Sequence, residues 1–144
     1  MDGGKIGKAA TYAKTVEQKS ARELQLNQQG HLQKQQQLDQ LLQFKQEYED
    51  RLGSMGQHGI AARQLQDYRL FLSKLNQAIS QQLQDVQKAE ENLEEAREQW
   101  KEEAKRTSAF DHLVEQHRRL QIEAQNKAEQ KTADEETLAR QLHS

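Results

Sequence analysis

A chain of 144 residues that is 33% hydrophobic and 31% charged, with a mean hydropathy of -1.16, holds too little apolar material for the thick core of a globular domain, which takes about 45–50%. Disorder ordinarily brings proline and a large net charge, yet this chain has no proline, a net charge of -2 and an abundance of the good helix formers Ala, Leu, Glu, Gln, Lys and Arg. With no cysteine and no dominant basic block, a disulfide scaffold, a thiolate metal site and nucleic acid as main partner are all set aside. The chain opens on MDGGKIGKAATYAK, which lacks the apolar run of a signal peptide. No stretch approaches the ~18 apolar residues of a membrane span, so a cytoplasmic location is expected.

A first helix is predicted over about 5–52. Steps of 3 and 4 give its seam: Ile6, Ala10, Ala13, Glu17, Ser20, Leu24, Asn27, His31, Lys34, Leu38, Leu41, Lys45, Tyr48 and Leu52. Polar residues and Gly30 occupy the middle, and a glycine inside a helix costs ~1 kcal/mol relative to Ala, so residues 17–34 are expected to pack most loosely. The Gln-rich run QQGHLQKQQQLDQ at 28–40 reads as polar filling there. The cluster GSMGQHG at 53–59 is the credible interior break, since glycine past a helix end tolerates positive φ. Ser54 and Gln57 within it are spaced as a small capping pair, a weak signal for the start of the next helix.

A second helix follows, over about 60–140. Its heptad steps through Leu65, Tyr68, Leu72, Leu75, Ile79, Gln82, Val86, Ala89, Leu93, Ala96, Trp100, Glu103, Thr107, Phe110, Val114, His117, Gln121, Ala124 and Ala128, and fourteen of these nineteen are apolar. A sustained 3.5-residue repeat marks a left-handed coiled coil, and a short connection makes the helices antiparallel neighbours. The expected fold is therefore all-α, a single helical hairpin over 1–144. With the turn centred near residue 56, Leu41 lies level with Phe71 and Ile6 with Arg106. Residues 107–144 then overhang by a length on the order of 50 Å. That overhang carries Phe110, Leu113, Val114, Leu120 and Ile122, which asks for a partner or leaves the segment frayed.

Beside the turn there is more apolar surface than a two-stranded seam uses. Leu70, Phe71 and Ala78 fall off the second helix's seam, and Leu42 and Phe44 off the first. Two stripes at helical spacing result, Gln37-Leu41-Phe44-Tyr48 and Phe71-Leu75-Ala78-Gln82. They either widen the packing between the helices or form a docking patch, the ordinary meaning of contiguous exposed apolar surface. Other features carry no chemistry. His112 and His117 are five apart where a helical metal pair wants four. The acidic run EENLEEAREQWKEE at 90–103 reads as a solvated face, with Glu102 and Arg106 at i,i+4, and Trp100 as a packing residue on the seam. A two-stranded coil offers no concave site, and no phosphate loop, nucleophile elbow or other catalytic motif is present. An enzyme, a cofactor, a metal and a small-molecule substrate are not expected.

The stretch QEYEDRLGSMGQHGIAARQLQDYRLFLSKLNQAISQQ at 46–82 resembles the flagellar export protein FliJ family. It shows the succession of a Glu47-Tyr48 pair, a Met55-Gly56 turn running to Gly59-Ile60, and then Tyr68, Phe71, Leu75, Ala78, Ile79 and Gln81. The specific part covers about 37–82; the remainder agrees in coiled-coil character. The resemblance implies a cytoplasmic component of the flagellar type III export apparatus at the inner membrane's cytoplasmic face. Its antiparallel coiled coil would be similar to the central stalk of rotary ATPases. Such a protein is understood to sit in the ring of the export ATPase FliI and promote its hexamer, to contact the export gate protein FlhA, and to interact with export chaperones. The resemblance assigns gate contact to Gln37, Leu41, Phe44, Tyr48, Phe71, Leu75, Ala78 and Gln82, the residues of the two stripes. Phe44 stands where the family often has tyrosine, and Gln82 where histidine occurs. The far end would meet the ATPase. Two other readings stay open: a generic coiled-coil scaffold pairing between chains, where the hairpin would be a monomer, and the equivalent stalk of a virulence-type secretion system.

Overall fold

The computed structural model describes residues 3–143, and the elements among them are two α-helices and no strand. Helix α1 spans Gly3–Gln57 and α2 spans Ala62–His143. They pack against each other as an antiparallel hairpin, the all-α coiled coil that the heptads call for. Every seam residue predicted on α1, and every one on α2 from Leu65 to Phe110, is buried or half-buried. The reason is geometric: residues at alternating 3 and 4 steps share one stripe of a helix, and two such stripes bury each other.

The turn is shorter and later than the glycine cluster implies. Gly53 and Gly56 stay helical, α1 runs to Gln57, and α2 begins at Ala62 rather than near 60. Leu52 and Met55 prolong the seam of α1 and are both half-buried, and the Tyr68 hydroxyl lies 2.8 Å from the Met55 sulfur. That packing outweighs the ~1 kcal/mol cost of each helical glycine. The reversal needs positive φ at one residue alone, Gly59, where φ is 78°. The His58 amide closes the end of α1 on the Met55 carbonyl at 3.2 Å, and the Leu65 amide opens α2 on the Ala61 carbonyl at 3.0 Å. Ser54 and Gln57 thus lie inside α1 and do not cap α2.

A later turn slides the register. Two compact units contain the chain, one of Ser20–Trp100 and one of Met1–Lys19 with Lys101–Ser144. In the first, the core is Leu38, Leu75, Ile79 and Val86, with Leu41 and Leu72 packed on it. Burying a Leu or Val is worth about 1.5–3 kcal/mol, so this cluster anchors the unit. From Ser20 to Lys34, by contrast, the α1 seam is Ser20, Leu24, Asn27, His31 and Lys34, and its one buried member is a serine.

In the second unit, Ile6, Ala13 and Thr107 are buried. The Thr107 hydroxyl donates to the Ala13 carbonyl of the facing helix at 3.2 Å and to the Glu103 carbonyl at 3.1 Å. Gly3 is held so close to the His117 imidazole that a Cβ there would come within 2.6 Å of it. Ile6 consequently shares a groove with Val114 rather than standing level with Arg106. Arg118 and Gln121 line that groove too, so among the described residues the unpartnered part of α2 begins after Gln121, not at 107, and from residue 118 to 143 every position is exposed.

Candidate functional site

The residues of the two stripes meet in the unit of Ser20–Trp100, and the aromatic ones form a cluster. The Tyr48 ring lies 4.5 Å from that of Phe71 and 4.9 Å from that of Tyr68. Phe44 meets Phe71 edge-on, with centroids 6.0 Å apart at 72°, and approaches Tyr48 at 6.4 Å. Offset and edge-to-face pairs at such distances add about 0.5–1.5 kcal/mol each beyond the area they bury, so the rings hold one another within the hairpin. It is also open: Phe44 is 44% exposed and Phe71 38%.

At the other end of the face the glutamines meet. The Gln82 amide donates to the Lys34 carbonyl at 2.9 Å and to the Gln37 side-chain oxygen at 3.2 Å. A polar seam residue is thereby satisfied, and the two helices are tied together where the apolar stripe ends. Ala78 is exposed and Leu41 half-buried between these ends.

One residue of the predicted face does not belong to its surface. Leu75 is only 7% exposed and sits in the core cluster, because it occupies a seam position while Phe71 and Ala78 flank the seam. It supports the face from beneath. The slipped register adds a correction of partner: Phe71 stacks against Phe44 and Tyr48, not level with Leu41. Tyr68, assigned to the seam alone, joins the cluster through Tyr48 and anchors it to the turn through Met55; its place one turn before Phe71 was the available signal. Burial, followed by the neighbouring Tyr68 and Asp67 side chains, pushes the Tyr48 hydroxyl above its ordinary value.

Elsewhere the charges are local. Glu102 pairs with Lys105 at 3.7 Å and Arg106 with Glu103 at 3.7 Å, rather than Glu102 with Arg106. Glu115 accepts from Arg118 at 2.6 Å and from Arg119 at 3.2 Å. Hydrogen bonding from Arg118 first, and from Arg119 after it, holds the Glu115 carboxyl at about 2. Trp100 is half-buried on the seam. No helix among the described residues is long and apolar enough to cross a membrane.

The arrangement is an aromatic surface, partly open to solvent, with the Gln37 and Gln82 amides paired at one end. Known proteins point to which system it serves. The model of the family described as Flagellar FliJ protein matches residues 10–144. The Flagellar FliJ protein of Escherichia coli (strain K12) is 29% identical over 106 residues, 74% of this chain and 72% of that one. That of Salmonella typhi is 28% identical over the same shares.

Proposed function

The chain belongs to the flagellar FliJ protein family, and from that premise we propose that it serves flagellar protein export as a non-catalytic coiled-coil stalk that promotes assembly of the export ATPase ring. Its aromatic face would meet the export gate protein, export chaperones would be further partners, and the assembly would sit at the cytoplasmic face of the inner membrane. The observation that carries this reading is the cluster of Phe44, Tyr48 and Phe71, open at Phe44 and Phe71. Exposed aromatic rings cost hydration and aggregation risk, and partner recognition by such preformed anchors is their ordinary function.

The mechanism is mechanical. An asymmetric two-stranded coil inside a closed ring touches the subunits unequally, which stabilises the ring and biases its states. The aromatic face, with two amides at its end, would supply hot-spot contacts to a second protein without chemistry. Calorimetric titration of the gate protein's cytoplasmic domain with the wild-type chain and with Phe71→Ala tests the face. Loss of one exposed aromatic anchor is expected to weaken binding by at least about 2 kcal/mol. Unchanged affinity would remove the aromatic face from the gate contact.

A further inference from the structure

Past Gln121 the seam of α2 has no described helix to pack on, and yet it does not end. The same alternation of 3 and 4 steps continues through Ala124, Ala128, Lys131, Glu135, Leu138 and Leu142, all exposed on an unbroken helix. Here the pattern differs from the buried part. Two alanines come first, an oppositely charged pair stands in the middle, and two leucines come last. Neither Lys131 nor Glu135 takes part in an ion pair within its own helix. A shallow groove runs between Lys127, Gln130, Lys131, Asp134, Glu135 and Leu138.

This order is complementary to itself when reversed. Antiparallel helices set each a position of one chain against a d position of the other. In the register that places Lys131 against Glu135 of a second copy, Ala128 falls against Leu138 and Ala124 against Leu142. The two-fold axis repeats every pairing. Each apolar layer then joins one small and one large side chain, so the helices stay at one spacing, and the central layers join opposite charges.

The neighbouring arrangements fail. A slip of one heptad sets Lys131 against Ala128 and Glu135 against Ala124. The opposite slip sets Glu135 against Leu138 and Lys131 against Leu142. A parallel pairing stacks Lys131 on Lys131 and Glu135 on Glu135, two like-charge layers. One polar pair at the seam commonly selects register and orientation in this way. We propose that residues 124–142 of α2 are a self-association surface, on which two copies of this chain pair antiparallel and isologously.

The paired stretch from Ala124 to Leu142 is under three heptads, so the contact is weak and reversible, and it loosens as salt rises. The hairpin seam itself stays within one chain.

Sedimentation equilibrium of the full chain over rising concentration, with Lys131→Glu, Glu135→Lys and the double exchange K131E/E135K, tests this. Each single reversal creates like-charge layers and is expected to weaken dimerisation by at least about tenfold. The double exchange restores the opposite charges and is expected to restore the dimer. Circular dichroism checks that all four chains remain equally helical. A chain that stays monomeric at every concentration would overturn the proposal and leave the stripe to a helix of another protein. So would a dimer indifferent to the single reversals, which would lie on a different face, or a double exchange that fails to rescue.

Discussion

Leu75 and Phe71 stand four residues apart on α2, and both were legible as apolar members of one stripe. What the spacing does not reveal is the depth of each: the seam position puts Leu75 in the core with Leu38 and Ile79, and the flanking position leaves Phe71 open on one side. The consequence is measurable by denaturant unfolding. Leu75→Ala leaves a cavity and is expected to cost about 2–5 kcal/mol, whereas Phe71→Ala is expected to cost under about 2 kcal/mol. Equal losses would make Phe71 a core residue and empty the proposed docking face of its main anchor.

Glu115 gives a second test at this scale. Its carboxyl is depressed in the folded chain, so its contribution is present above the ordinary value of 4.5 and is lost as pH falls from there to about 2. Carbon-detected NMR titration should place its midpoint near the lower figure; a midpoint near 4.5 would mean that the two arginines do not hold it in solution. The residue is solvent-facing, so the melting temperature is expected to register this only faintly.

At the scale of the elements, the phase of both heptads was readable because a two-stranded coil is specified by little else. Even the polar seam residues Asn27, His31 and Lys34 are half-buried where the repeat puts them. The turn was not readable to the residue. Gly53, Gly56 and Gly59 look alike in sequence, and the difference between them is made by Met55 packing on Tyr68, a contact between residues thirteen apart. The later turn moves the register, and with it the start of the unpartnered helix from 107 to beyond Gln121.

The glycines now separate by experiment. A Cβ at Gly30 or Gly56 would meet nothing within 4 Å, so Gly30→Ala and Gly56→Ala are each expected to raise stability by up to about 1 kcal/mol. Gly59→Ala must place a side chain at a φ of 78°, and is expected to lower it by about 1–2 kcal/mol. Thermal melts of the three variants decide this; a loss at Gly56 would show that the helix in fact breaks there.

At the scale of the molecule, low apolar content, absent proline and sustained heptads sufficed for the fold class, because few folds bury so little. Its partners were beyond periodicity. Any coiled coil has a seam, and only the succession from Glu47 to Gln81, with the family match over residues 10–144, separates this chain from a generic one. As the proposed stalk, the chain would act in the ring and alter the turnover of the export ATPase. The most direct measurement is ATP hydrolysis by the cognate flagellar export ATPase, with and without the chain, beside a sizing run on the mixture. The account predicts faster turnover together with a shift of the ATPase from monomer to ring. Unchanged turnover and unchanged size of the ATPase would contradict it.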